Sequence, residues 1–249
     1  MNELVSVITP SYNSASFIED SINSVIQQTY DNWELIIVDD ASTDHSRDII
    51  NRMAKKDKRI LPIFFSNNSG SATARNTAIN NSKGRFIAFL DADDMWRKEK
   101  LEKQIAFMRE NDFAFSFTSY QPISEDRKKL YREIKVPKVI DYDGLLKNTI
   151  IGCLTVVIDT KKVNDIKMPN LRTSQDLALW LSILKRGTQA YGIEENLAFY
   201  RVVKQSSTSN KLKVMLGVWK IYRDYENLNF IKSLWCFLNY GFNALKKRI

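Results

Sequence analysis

Short apolar runs alternate with longer amphipathic stretches through the first 120 residues, and this alternation constrains the fold more than any other feature. VSVIT (5–9), ELIIVDD (34–40), RILPIFF (59–65), RFIAFL (85–90) and FAFSFTSY (113–120) have the length and character of buried strands. Between them, 15–28, 42–56, 72–82 and 97–111 read as helices. The first carries Phe17, Ile18, Ile22, Val25 and Ile26 at helical spacing, and the last is so charged that it reads as exposed. Ser42 or Thr43 can cap the second helix, and Gly84 stops the third. Strand–helix alternation with short connections predicts an α/β fold, a parallel sheet covered by helices on both faces.

Ligands of such sheets sit at the carboxyl ends of the strands. Two of the runs end there in acids. VDDAS puts Asp39 and Asp40 on the rim, and FLDADD adds Asp91, Asp93 and Asp94. Helix capping accounts for one or two carboxylates in each place. It accounts poorly for three in four positions, because like charges need a counter-charge. Hard oxygen ligands with open positions suit Mg²⁺ or Mn²⁺ carrying a substrate phosphate. Gly70 leads into a helix that carries Arg75, the kind of turn that binds anions, although it matches neither GxGxxG nor GxxxxGK[ST]. Asp176 in TSQDLALW is either a first-turn acid or a general base near the rim. His45, the only histidine, lies in a charged helical stretch, which argues strongly against a catalytic triad or a histidine metal site.

The second half is less regular. A charged stretch over 121–150 suggests edge strands, CLTVVID (153–159) a strand, 173–187 a helix ended by Gly187, and NLAFYRVV (196–203) a strand; two helices finish the chain. At 249 residues with 44% hydrophobic content, the chain suits one large α/β domain, or one domain and a tail. Two distant cysteines, Cys153 and Cys236, argue for a reducing compartment. MNELVSVITP reads as no secretory signal, and no apolar run approaches the ~20 residues of a spanning helix, so a cytoplasmic location is expected. The net charge of +8 is concentrated at the end: residues 211–249 hold eight cations against two acids, net +6. That stretch is also rich in Trp, Tyr, Phe and Leu, which suits an anionic membrane surface better than nucleic acid. Over 230–248, Ile231, Leu234, Trp235, Leu238, Gly241, Phe242 and Leu245 share one helical face, with Lys232, Asn239, Asn243 and Lys246 on the other. Packing on the domain and peripheral membrane contact are both open for this helix.

Taken in order, VSVITPSYN, IIVDDASTD, NSGSATARN, FLDADDMW and SQDLALW resemble the inverting family 2 glycosyltransferases, from about residue 4 to about residue 210. WKIYRDYENLNFIKSLWCFLNYGFNALKKR is similar to bacterial members that build capsule, O-antigen or teichuronic acid chains. The resemblance implies the GT-A fold: a Rossmann-like mixed sheet flanked by helices, with a C-terminal helical tail. It implies a catalytic domain over 1–210, with a nucleotide-sugar half (about 1–112) and an acceptor half (about 113–210), followed by an amphipathic region over 211–249. The donor would be a nucleotide-sugar, UDP-linked by resemblance, and the acceptor a glycan or a polyprenyl-diphosphate-linked sugar. The cofactor would be Mn²⁺ or Mg²⁺. Pro10 and Tyr12 would frame the nucleobase, Asp40 would hydrogen-bond it, Asp39 would support that loop, and Arg75 would sit near the nucleotide. Asp93 would bind the metal, Asp91 the ribose or a metal-bound water, and Asp176 would be the catalytic base. Many relatives carry YRxH near the end of this span. Here the stretch is YRVVK, so Val203 replaces the histidine, while Arg201 and Lys204 remain and by the resemblance would bind the nucleotide-sugar; Lys204 could meet the diphosphate. Rival readings are a sugar-1-phosphate nucleotidyltransferase, which lacks its glycine-rich basic signature here, an aspartate-nucleophile phosphatase, disfavoured by Met95, and a non-catalytic nucleotide-sugar-binding subunit.

Overall fold

The computed structural model describes residues 3–171, 173–203 and 211–246. The chain begins with four parallel strands and the helices that connect them. These are β1 (Val5–Ser11), α1 (Ile18–Ile26), β2 (Trp33–Asp39), α2 (Ser46–Lys56), β3 (Ile60–Phe64), α3 (Ser71–Asn80) and β4 (Phe86–Phe89). A two-residue β5 (Met95–Trp96), α4 (Lys100–Glu110), β6 (Phe115–Ser124), β7 (Val139–Ile140) and α5 (Tyr142–Lys147) follow. Then come β8 (Val157–Asp159), α6 (Gln175–Leu184), β9 (Ala190–Val202), α7 (Lys211–Lys220) and α8 (Phe230–Lys246). One sheet runs β3-β2-β1-β4-β8-β6-β9-β5, with β7 on β9. The β3-β2-β1-β4 half is parallel, as the alternation predicts; β8 then runs antiparallel to both β4 and β6, which makes the whole sheet mixed.

β1 and β2 are almost wholly buried, which is why they read as continuous apolar runs rather than alternating ones. Their carboxyl ends are in register, Ser11 beside Asp39, so the loops after β1 and β2 meet at one rim. Trp180 ties the two halves together: its ring meets Phe89 of β4 and Phe115 of β6 edge-on, with centroids 5.2 and 5.3 Å away. Trp180 also stands one turn after Asp176, on the same face of α6. Truncating it to alanine would cost about 3–5 kcal/mol and would loosen the helix that presents that acid.

Two elements differ from the sequence reading, and two that it left loosely defined are resolved. Of 153–159 only Val157–Asp159 is strand; Cys153–Thr155 form a 3₁₀ turn, and Thr155 Oγ1 donates to Gly152 O at 2.6 Å. The charged α4 is not an exposed helix. Leu101, Ile105 and Met108 are buried, and so are Lys100 and Gln104, whose polar ends stay inside the fold. The 121–150 stretch continues β6 into a hairpin, with bridges Ile123–Leu130 and Tyr120–Ile134, and then forms α5, capped by Asp141, which accepts from Gly144 N. Finally, α8 docks by the side that carries polar residues. Ser233, Cys236 and Tyr240 are buried, Asn243 Nδ2 donates to Lys147 O at 3.0 Å, and Lys232 pairs with Asp143. The apolar stripe faces outward, with Ile231 80%, Trp235 60% and Phe242 59% exposed.

Candidate active site

The loops at the carboxyl ends of β1, β2 and β4, the N-termini of α1, α3 and α6, and the end of β9 enclose a cleft of about 390 Å³. Pro10, Tyr12, Asp40, Arg75, Asp91, Asp93 and Asp176 all line it. Seven of the ten residues singled out from the sequence therefore share one space. Asp39 and Arg201 are not among the lining residues, and Lys204 lies outside the described residues.

The first wall is built by cross-linking two loops. Asn13 N donates to Ser42 Oγ (2.9 Å), Thr43 N to Asn13 Oδ1 (2.8 Å) and Ser14 N to Ser46 Oγ (2.8 Å). Tyr12 projects from this braced loop with 52% of its surface exposed, a flat ring open to a planar partner. Asp39 is fully buried beneath it and accepts from Ser42 N (3.0 Å), from Ser42 Oγ and from Arg47 Nε (2.7 Å). Its place in the structure is loop support. Asp40 faces the cleft and also holds the next loop: Oδ1 accepts from Ser69 N (2.6 Å) and Oδ2 from Gly70 N (2.8 Å). Gly70 has φ +89°, a conformation that favours glycine, and it starts α3. VDDAS and NNSG, distant in sequence, thus form one unit that delivers Arg75.

Arg75 spans the cleft floor. Nη2 meets Asp91 Oδ1 at 2.5 Å and Nη1 donates to Gln175 Oε1 at 3.2 Å, while the buried Nε has no hydrogen-bond partner among the described residues. Burial opposes its charge, but Asp91 beside it more than offsets this, and the guanidinium stays cationic. A buried donor left unpaired is costly, and the Asp91 carboxylate beside it offsets part of that cost.

The β4 rim separates its three acids by their partners. Asp94 turns inward and its Oδ1 accepts from Arg201 N at 2.8 Å. Burial, then the charges of Asp93 and Asp91, push its carboxyl well above the usual carboxylate range. Asp93 stays in the cleft; burial and the neighbouring Asp91 push it up to about 6. The structure corrects the expected role of Arg201. Only 2% exposed, it lies behind the rim: Nε donates to Asp93 O (2.7 Å), Nη1 to Glu125 O (2.7 Å), and Nη2 meets Asp20 Oδ2 (3.0 Å). A guanidinium spent on two backbone carbonyls and an acid braces the acidic loop instead of lining the cleft.

Asp176 approaches from the opposite wall. Ser174 adopts a left-handed conformation (φ 58°) at the entry to α6 and turns the first helical turn toward the cleft. Burial pushes the Asp176 carboxyl up, against the Arg75 charge and the N–H groups of the first helical turn. A carboxyl with raised proton affinity, lining the same space as Asp91, Asp93 and Arg75, has the properties of a general base. Sequence reasoning missed Gln175, whose Oε1 joins Arg75 to α6, and Cys153, which forms part of the cleft wall. The position of Gln175 beside Asp176 was the available signal; nothing in the sequence marked Cys153.

The donor set suits a divalent cation. Asp91 and Asp93 share the cleft, and Asp91 disfavours the charge of Asp93, a conflict that a cation would relieve in place of a proton. Among the described residues no group of three His, Cys, Asp or Glu side chains gathers, so most ligands would come from substrate oxygens and water. Mg²⁺ is commonly held that way at phosphate sites.

Comparison with known proteins agrees with this geometry. Residues 6–163 match the family described as Glycosyl transferase family 2. The chain is 53% identical over 246 residues, covering 99% of itself and 98% of the relative, to TuaG of Bacillus subtilis, a glycosyltransferase named for teichuronic acid biosynthesis. It is 40% identical over 98% of its length, and 94% of the relative's, to WfgD of Escherichia coli, named as a UDP-Glc:alpha-D-GlcNAc-diphosphoundecaprenol beta-1,3-glucosyltransferase. In fold it is similar to the Pyrobaculum calidifontis mannosyltransferase PcManGT, solved with GDP-Man and Mn²⁺, with a TM-score of 0.73 at 17% identity over 99% of this chain and 71% of that one. The cleft at the strand ends is therefore set in a GT-A-like mixed sheet, and the chain belongs to glycosyl transferase family 2.

Proposed function

We propose that this protein is a metal-dependent, inverting glycosyltransferase that moves a sugar from a UDP-sugar to a hydroxyl of a lipid-diphosphate-linked acceptor in cell-surface polysaccharide synthesis. The observation that carries the proposal is the cleft itself, where one half-buried carboxyl, Asp176, faces a wall of Asp91, Asp93 and Arg75. UDP and the lipid-linked acceptor are favoured by the name of the WfgD relative.

Tyr12 offers a stacking face for the base, and Asp40 fixes the loop beside it. Asp93, with Asp91, would hold Mn²⁺ or Mg²⁺ against the donor diphosphate. When bound, such a cation stabilises the charge that develops on the departing nucleoside diphosphate. Arg75 adds a fixed positive charge on the same side. Asp176 takes the proton of the acceptor hydroxyl as its oxygen attacks the anomeric carbon from the face opposite the leaving group. One displacement inverts that centre, so an α-linked donor gives a β-linked product. A base so placed contributes roughly 10²–10⁴-fold in rate. Asp176→Asn is expected to remove that factor while nucleotide binding by calorimetry is retained. Sugar transfer at the normal rate by folded Asp176→Asn protein would sink the mechanism. A panel of UDP-, GDP- and dTDP-sugars with Mn²⁺, with and without a lipid-diphosphate-sugar acceptor, identifies the donor. Nucleotide binding with no turnover on any acceptor would favour the non-catalytic reading.

The tail suits peripheral contact with an anionic membrane surface. No described helix is long and apolar enough to cross a membrane. The outward stripe of α8 has large apolar side chains, and the surrounding 211–249 segment carries net charge +6. Trp235→Glu with Leu238→Glu, both at exposed positions, is expected to abolish co-sedimentation with vesicles containing anionic lipid. Undiminished co-sedimentation, or a stripe used for self-association instead, would overturn this part of the reading.

A further inference from the structure

The match to the family ends at residue 163, yet the structure ties the tail directly to the catalytic wall. Gly217 of α7 lies against the turn that precedes α6. A Cβ added there would sit 2.4 Å from Thr173 Oγ1, 3.6 Å from Thr173 Cβ and 3.8 Å from Ser174 Oγ. The first distance is far inside van der Waals contact, so any larger residue here would have to displace the Thr173 hydroxyl in the turn before α6. Glycine is a poor helix former, and Gly217 occupies a helix interior at the point of contact. Its neighbours fix α7 in place: Val218, Ile221 and Tyr222 are buried in the core that also holds Leu177 and Trp180, and Tyr222 Oη donates to Leu146 O. The contacted turn is where Ser174 becomes left-handed and sends Gln175 and Asp176 into the cleft.

We propose that Gly217 is a positioning residue, and that α7 aims Asp176 through the Thr173–Ser174 turn. The inference rests on the reading of Asp176 as the base. It makes α7, outside the matched family core, a working part of the active site.

The test is a double-mutant cycle. Gly217→Ala crowds the contact and Thr173→Ala opens it; together the new Cβ meets the retained Cβ of residue 173 at ordinary distance. Each single variant is expected to lower kcat about tenfold, since a small misplacement of a reacting group has effects of that size or more. Nucleotide Kd by calorimetry should be unchanged in both. The double variant should turn over faster than either single one. Wild-type kcat in Gly217→Ala, or a kcat loss matched by equal losses in nucleotide affinity and Tm, would overturn the proposal, as would a double variant slower than both singles. Should Gly217→Ala fail to fold, the comparison of Thr173→Ala with the double variant remains: a double variant that turns over faster than Thr173→Ala is the expected result, and one that is slower would overturn the proposal. Asp176→Asn serves as the control. If it is fully active, the base assignment fails; if it is inactive while Gly217→Ala is normal, only the positioning role fails.

Discussion

The two acidic rims, after β2 and after β4, start from the same material and end differently. Each puts consecutive acids at the carboxyl end of a buried parallel strand. After β2, neighbouring donors take up both carboxylates: Asp39 by Ser42 and Arg47, Asp40 by the N–H groups of Ser69 and Gly70. After β4, Asp94 receives one backbone N–H and Asp91 one guanidinium, while Asp93 is pushed up to about 6 by burial and by Asp91. Donors supplied by neighbouring loops, not the acids themselves, decide which rim is scaffold and which can react. A carboxylate provided with N–H partners is at rest; one crowded by a like charge stores a demand for a cation.

The strongest way to break this contrast is at Asp93. Asp93→Ala should lower metal-supported transfer by about 10²-fold or more, the scale of losing one well-placed electrostatic stabiliser, with Tm nearly unchanged. The wild-type affinity for Mn²⁺ should also weaken as pH falls through 6, because the Asp93 carboxyl then holds a proton that the metal must displace. Calorimetric titration with Mn²⁺ at pH 5 and 7.5 checks both the size and the sign. Equal affinity at the two pH values would remove the distinction between the rims.

The acidic rim of this site is legible in the sequence because each of its parts is local. A βα unit announces itself by apolar run, acid and helix, and Asp40, Asp91 and Asp93 are placed by the strand ends that precede them. What the sequence does not reveal depends on long-range pairing. The resemblance puts Arg201 with the nucleotide-sugar-binding residues; only the return of β9 beside β5 and the long β6 puts it behind the β4 rim. Gln175 is polar and unremarked until α6 and α3 meet through Arg75. In α8 helical spacing correctly finds an apolar stripe, but spacing cannot say which side docks. Ser233, Cys236, Tyr240 and Asn243 dock because they fit the surface of α5, and the stripe is left outside.

The β2 rim sharpens the comparison at intermediate scale. Asp39→Asn keeps the shape but replaces one acceptor with a donor facing Ser42 or Arg47, inside a fully buried site. A loss of about 2–3 kcal/mol in stability is expected, typical of leaving such partners unmatched, with a smaller effect on nucleotide affinity once the protein is folded. Asp40→Asn loses one of two N–H contacts at the mouth of the cleft, so nucleotide Kd should rise more than Tm falls. Chemical denaturation and calorimetry on the same two preparations separate these outcomes. If the two variants behave alike, the division of labour within VDDAS is wrong.

The smallest effect tests whether a cation can also be held without an acid. Lys100 is fully buried on α4; its Nζ donates to Gln104 Oε1 at 2.8 Å and lies 4.3 Å from the centre of the Trp96 ring. Burial lowers its pKa to about 7. The unfolded chain binds this proton up to the ordinary lysine range, whereas the folded chain gives it up near neutrality. Between those limits the unfolded state carries more protons, so stability rises with pH; below the folded value both states are charged and the burial penalty stands in full. The gain between pH 6 and 8 should be on the order of 1 kcal/mol from this one group. Lys100→Met keeps the length, removes the charge, and should flatten that slope, with its largest stabilisation at the acid end. Denaturation midpoints at pH 6, 7 and 8 for the two proteins measure it. Parallel slopes would mean that Gln104 and the Trp96 ring hold the ammonium charged inside the fold, and that a neutral oxygen and an aromatic face can do at α4 what requires a carboxylate at the β4 rim.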